Sequence, residues 1–276
     1  MIGKLRAWPV IAALALVAAM LVAAGCGDDD GGGGGGDLDT IAQGELRVGS
    51  DIPYAPFEFG RAPDYQGFDI DIVNEIAKRL DVEAKFVKTP FDPIFRNLAQ
   101  GRFDMVASST TITPERERTV DFSDPYFPAN QSLMVKRDSD IKTVDDLAGK
   151  TVGAQLGTTG ATYAKKEVDA ETVRTYDLID DAYKALQAGQ VDAVITDFPV
   201  SKYAERSKKD LVVVQTIETG EEYGLGFAKE STKLREGVNK ALQEMKDDDT
   251  YTEIYRKWFE EDPPDSIFTT SGSEGA

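Results

Sequence analysis

Two stretches of this chain repeat one another. "LAQGRFDMVAS" (98–108) and "LQAGQVDAVIT" (186–196) share Leu, Gly, Phe or Val, Asp, Val, and Ser or Thr at the same spacings. Each reads as a helix end, a glycine stop and a strand. Each is preceded by a matching start, "RVGSD" (47–51) and "TVGAQ" (151–155). The same signals in the same order point to two α/β units of one plan, with mostly parallel sheets. In such sheets the ligand crevice lies outside the carboxyl ends of the strands. Positions just past those ends pair across the repeat, Asp51 with Gln155 and Ser109 with Asp197. Two units facing each other bring all four to one cleft, the geometry of a hinged two-lobe binder.

The intervening segments fill in the plan. Strands are predicted over 45–49, 83–88 and 103–108. A helix over 69–80 places Val73, Ile76, Ala77 and Leu80 on one face, and another over 93–101 has Gly101 just past its end. "QSLMVKRD" (131–138) and "YGLGFAK" (223–229) bracket the second unit and read as the crossing segments. Residues 231–259 read as two amphipathic helices returning to the first lobe, with Val238, Ala241, Leu242 and Met245 as the apolar stripe of the first. The expected organisation is lobe one over 45–129 and 224–262, lobe two over 130–223, and a disordered tail over 263–276.

The N-terminus is not part of the fold. Lys4 and Arg6 precede an apolar run from Ala7 to Ala24, the layout of a secretory signal peptide over 1–25. The ending Ala23-Ala24-Gly25-Cys26 resembles a bacterial lipobox, which implies a lipid on Cys26 and a membrane-anchored, extracytoplasmic protein. It departs from the usual pattern by carrying Ala23 where leucine is more common. Residues 26–44, with the run "GDDDGGGGGGD" at 27–37, read as a flexible linker. Cys26 is the only cysteine and the chain has no histidine. Disulfides within the chain, Ser-His-Asp triads and His- or multi-Cys metal sites are thereby excluded, and no metal or cofactor is expected. A formal net charge of −18 argues against nucleic acid as a partner.

"SSTTITPER" (108–116) crowds small hydroxyl groups just before one arginine. Thr113 can cap a helix with Pro114 at its first position, which puts Arg116 in the first turn. A guanidinium is a planar fork that matches a carboxylate, and Ser108, Ser109 and Thr111 lie beside it. A surface ion pair is the plain alternative. "LGTTG" (156–160) opens a helix whose free N–H groups, with Thr158 and Thr159, can face an anion; an ordinary capped turn is the alternative. Asp197 ends a strand and can merely cap the helix after it. Tyr54 precedes Pro56 in a loop and Phe91 follows Pro90 at a helix start; core packing is the plain alternative for both.

In order along the chain, "VGSDIPYAPFEF", "GFDIDIVNEIAKRL", "TITPERERTVDFSDPYF", "DDLAGKTVGAQLGTTG", "ALQAGQVDAVITD" and "YTEIYRKWF" resemble the polar amino-acid-binding family of extracellular solute-binding proteins, over about residues 45–262. The resemblance implies a type II periplasmic-binding-protein fold, α/β and two-lobed with two crossing hinge segments. It implies a receptor without catalytic residues that hands a free amino acid to an ABC importer permease. It assigns the ligand carboxylate to Arg116, Ser109, Thr111 and Thr159, the ammonium to Asp197, side-chain packing to Tyr54 and Phe91, and the distal end to Asp51 and Gln155. With Asp51 facing no cation that the sequence places, basic amino acids or glutamine are expected over glutamate and aspartate. The rival on the same fold is a secreted cyclohexadienyl dehydratase, for which Glu58, Asp51 and Asp197 are the acid candidates; a sensor acting with a separate partner is the third reading.

Overall fold

The computed structural model describes residues 38–268. The expected signal peptide, Cys26, the glycine run and the end of the tail lie outside the described residues.

The first half runs β1 (Glu45–Ser50), a small hairpin β2 (Phe59–Arg61) and β3 (Asp64–Gln66), α1 (Phe68–Arg79), β4 (Glu83–Lys88), α2 (Ile94–Ala99), β5 (Met105–Val106) and β6 (Asp121–Phe122). A long strand β7 (Phe127–Lys136) leads into β8 (Thr151–Gln155), α3 (Thr159–Lys166), β9 (Thr172–Tyr176), α4 (Ile179–Gln187), β10 (Ala193–Asp197), α5 (Phe198–Ser207) and a second long strand β11 (Leu211–Tyr223). The chain then returns through β12 (Gly226–Phe227) to α6 (Thr232–Asp247) and α7 (Thr250–Phe259). Two five-stranded sheets result, ordered β4-β1-β5-β12-β6 and β11-β7-β10-β8-β9. β1 is parallel to β4 and β5, and β8 is parallel to β9 and β10. The order second-first-third is therefore the same in both sheets, and antiparallel strands complete each.

The repeated aspartate has a structural task in both lobes. Asp104 accepts from the Arg47 N–H at 2.7 Å while its own N–H donates to the Arg47 carbonyl at 2.8 Å. Asp192 does the same to Thr151, at 2.8 Å in each direction. Each aspartate pins the start of its sheet's first strand, so the strand ends at the opposite side are held in register. The glycines before them, Gly101 and Gly189, stop their helices at φ 69° and 71°.

Burial follows the expected faces. Val73, Ile76 and Ala77 of α1 and Val238, Ala241, Leu242 and Met245 of α6 are buried. An aromatic cluster lies where the long strands cross. Phe57 packs edge-on against Phe68, Phe127 and Tyr223, with centroids 5.0–6.0 Å apart. Such contacts add to the burial term, and here they brace the two crossings from the first-lobe side.

Three expectations need correction. "QSLMVKRD" is not a crossing: Gln131–Val135 lie inside the second sheet, paired with β10 and β11. The passage between sheets comes earlier, between Phe122 and Phe127, and the return lies between Tyr223 and Gly226. A run buried on both faces carries no periodicity that separates a central strand from a crossing. The linker does not extend to Gly44, because Leu38 packs on the core and the Ile41 N–H donates to Asp104 at 2.6 Å. Nor does the tail begin at Pro263: Ile267 is buried and Phe268 meets the Tyr251 ring edge-on.

Candidate functional site

The carboxyl ends of both sheets meet at one cleft. Asp51 follows β1, Ser108, Ser109 and Thr111 follow β5, and Gln155 and Asp197 are the last residues of β8 and β10. All eleven pocket residues singled out in the sequence border one cavity of about 10 Å³. The lobes touch directly across it.

Arg116 is held by its own loop. Its backbone N–H donates to Thr113 Oγ1 at 3.2 Å, the expected cap, although the turn that follows is a single 3₁₀ turn, Arg116–Arg118, rather than an α-helix. The guanidinium donates to the Thr111 carbonyl at 2.7 Å and, across the cleft, to the Gly157 carbonyl at 3.2 Å. It lies over the rings of Phe91 and Phe95, 5.3 and 4.9 Å from their centroids. Burial lowers its pKa to about 10, against the opposing pull of Glu221 and Asp197, so it stays charged at neutral pH.

Asp197 stands at the N-cap of α5 but its side chain caps nothing. It accepts instead from Tyr54 Oη and Gln131 Nε2, both at 2.5 Å. Burial, with Glu221 adding repulsion, raises its pKa to about 6. Asp51 reaches across to Gln155 Nε2 at 2.5 Å, and Gln155 also donates to the Asp177 carbonyl at 2.9 Å. Burial raises Asp51 to about 7; the Gln155 bond and the Lys88 charge oppose the rise. Lys88, at the end of β4, is thus a cation the sequence did not place near Asp51.

The hydroxyls divide into two groups. Thr158 is spent on α3, accepting from the Ala161 N–H at 3.1 Å and donating to the Gln155 carbonyl at 2.8 Å. Ser108 and Ser109 turn their hydroxyls inward to Glu58, at 2.9 and 3.4 Å. Thr111 and Thr159 face the cleft, 3.4 Å apart, one from each lobe.

Besides Lys88, four residues were missed or misplaced by the sequence reading. Glu58 is fully buried beneath the two serines rather than in the cavity, and Asp69 beside it accepts from the Ser109 N–H at 2.8 Å and Tyr126 Oη at 2.9 Å. Burial and then the Asp69 charge push Glu58 well above the usual carboxylate range, and burial raises Asp69 to about 6. No cation pairs with either among the described residues, so burial, joined at Glu58 by like charge, pushes both carboxyls toward their neutral forms, and their network fixes the β5 loop from below. Gln131 of β7 and Glu221 of β11 reach the site from the two long strands of the second sheet. Gln131 Nε2 also contacts Glu221 at 3.2 Å, and Glu221 accepts from Thr111 and Thr159, each at 2.7 Å. An acid embedded in "PYAPFEF" was the available signal for Glu58; the long strands offered none.

The fold agrees with the comparisons. The chain belongs to the bacterial extracellular solute-binding proteins, family 3, whose family model matches residues 46–261. It is 34% identical over 234 residues to the histidine-binding periplasmic protein of Escherichia coli K12, covering 79% of this chain and 88% of that protein. Among solved structures, the arginine-, lysine-, histidine-binding protein ArtJ from Geobacillus stearothermophilus superposes with a TM-score of 0.77 at 36% identity, covering 82% of this chain and all of that one. An ancestral amino acid-binding protein, a precursor of cyclohexadienyl dehydratase, superposes with a TM-score of 0.73 at 42% identity over 78% of this chain and 96% of its own.

Proposed function

We propose that this protein is an extracytoplasmic receptor that closes its lobes around a polar amino acid and delivers it to the permease of an ABC importer. The observation that carries this reading is the placement of one half-buried cation, Arg116, and one buried acid, Asp197, on opposite lobes of a single cavity. A zwitterion satisfies both only when the lobes are closed, so ligand favours the closed state. In this reading Arg116, Thr111 and Thr159 take the carboxylate and Asp197 the ammonium, while Ser109, expected on the carboxylate, borders the cavity with its hydroxyl and N–H committed to Glu58 and Asp69. Tyr54 and Phe91 flank the side-chain stem, and Asp51 and Gln155 meet its distal end. Acids outnumber cations along the cavity, which favours arginine, lysine or glutamine over glutamate and aspartate. A larger groove of about 450 Å³ between α5 and α7 is a poorer candidate, because its Lys202 and Arg206 are already paired with Glu205 and Glu260.

A thermal-shift and calorimetric screen of the leaderless protein against the common amino acids tests this. Arginine, lysine or glutamine should stabilise it, and Asp51→Asn should cost a basic ligand far more than a neutral one. Tight glutamate binding with those three silent would refute the specificity. The dehydratase alternative is disfavoured because Glu58 lies under the serines; turnover of prephenate or arogenate would restore it. Genomic neighbours encoding a permease and an ATPase distinguish importer from sensor.

The same reading makes Cys26 a lipidated N-terminus, with the glycine run as a tether to the membrane. Intact mass of the membrane-extracted protein should show diacylglycerol on Cys26 and no residues 1–25. A Cys26→Ser protein processed and retained like wild type would exclude the anchor.

A further inference from the structure

Glu221 is the one acid at the cleft that belongs to neither duplicated unit. It lies on β11 directly after a register shift between Ile217 and Glu221, where the strand bulges away from β7. Asn130 Oδ1 clips the bulge, accepting from the Thr219 and Gly220 N–H groups at 3.1 and 3.2 Å. Bulges re-aim side chains, and this one delivers the Glu221 carboxylate between the two lobes. There Oε2 accepts from Thr111 Oγ1 of the first lobe and Thr159 Oγ1 of the second, both at 2.7 Å, and the Gln131 amide adds donors at 3.2–3.3 Å. Arg116 makes no ion pair with any described carboxylate, yet among the charges acting on it Glu221 exerts the largest pull.

A ligand carboxylate in the pocket argued above needs these same donors. One threonine from each lobe and a guanidinium in reach form a carboxylate site, and a side chain of this protein already fills it. Two carboxylates cannot share that place, since like charges in a desolvated pocket repel. The contact also spans the cleft, so it holds the lobes together with no ligand taking part.

We propose that the Glu221 carboxylate is a built-in stand-in for the carboxylate of the ligand: it latches Thr111 to Thr159 across the cleft, and an amino acid binds only by displacing it. The latch rests on the assignment of Thr111, Thr159 and Arg116 to the ligand carboxylate. It makes Glu221 a determinant of affinity: the latched population is unavailable to ligand and lowers the apparent affinity by its share. Of the cross-cleft contacts, it is the one that places a negative charge where the ligand must bring its own.

The mature protein, Glu221→Ala and Glu221→Gln are compared by small-angle X-ray scattering without amino acid, and by calorimetry with L-arginine and L-glutamine. The alanine variant should be more open without ligand, close with L-arginine to the wild-type dimensions, and bind both amino acids about fivefold to tenfold more tightly. Glu221→Gln keeps the shape and one acceptor oxygen, so it should move both readouts the same way by less. Unchanged scattering in both variants, or weaker binding by both, would overturn the latch; the latter would make Glu221 an acceptor for the ligand ammonium. If the wild-type protein binds neither amino acid, the receptor reading loses its ligand, while the scattering comparison still decides the latch.

Discussion

Replacing Arg116 by alanine is expected to weaken amino-acid binding by about a hundredfold or more, on the order of 3–5 kcal/mol, while leaving the chain folded. The guanidinium is the only cation among the residues that border the cavity, against Asp51 and Asp197. Its removal leaves a ligand carboxylate with hydroxyl donors alone in a closed, low-dielectric cleft, where an unpaired charge is costly. Folding should survive because what Arg116 bonds in the protein itself are two backbone carbonyls and the faces of Phe91 and Phe95. Lysine should rescue little of the affinity, since a point charge cannot reproduce the planar fork that serves both the Thr111 and Gly157 carbonyls. Calorimetry with L-arginine, beside far-UV circular dichroism of the same sample, measures both halves. Near-normal affinity in a folded Arg116→Ala protein would remove Arg116 from the ligand carboxylate.

The parts of this molecule that were legible in the sequence are those the duplication writes twice. Gly101 with Gly189, Asp104 with Asp192, and the residues after each strand announce themselves by recurring, and the two sheets share their strand order for that reason. The pocket residues at the strand ends came with them, since strand ends of a parallel sheet share one side. Gln131 and Glu221 sit on β7 and β11, outside the repeated plan, where no second copy marks the position. The approach of Glu221 to the cleft depends on the bulge around Thr219–Gly220, where three residues of β11 oppose Asn130 alone, a register that a single strand's sequence does not display. Lys88 escaped for a related reason: it is exposed at the end of β4, and its effect on Asp51 comes from strand order rather than sequence neighbours. The direction in which Ser108 and Ser109 point was also hidden, because it is set by Glu58 fifty residues earlier in the chain.

That buried acid network explains why a single methyl group at Gly67 should be among the most damaging changes away from the cavity. Gly67 precedes α1 with φ 140° and ψ 170°, a region open essentially to glycine alone. A Cβ there would stand 1.9 Å from the Phe57 carbonyl oxygen and 2.3 Å from its carbon, and backbone cannot swing aside as a flexible side chain can. The Phe57 carbonyl is committed, accepting from the Asp69 N–H at 2.9 Å, as the Pro56 carbonyl is to the Phe68 N–H at 3.0 Å. Moving Phe57 disturbs the aromatic cluster at the crossings and drags its neighbour Glu58 from under Ser108 and Ser109. Gly67→Ala should therefore cost on the order of 3–5 kcal/mol. Gly149→Ala is the control, because Gly149 also has positive φ, 70°, but has nothing within 4 Å of an added Cβ. It should cost only about 1–2 kcal/mol, the intrinsic penalty of the left-handed conformation. Urea unfolding of both variants reads the difference directly. Equal losses at the two sites would mean that the Phe57 loop yields freely, and that the packing of Glu58 and Asp69 beneath the site is not fixed by this close approach.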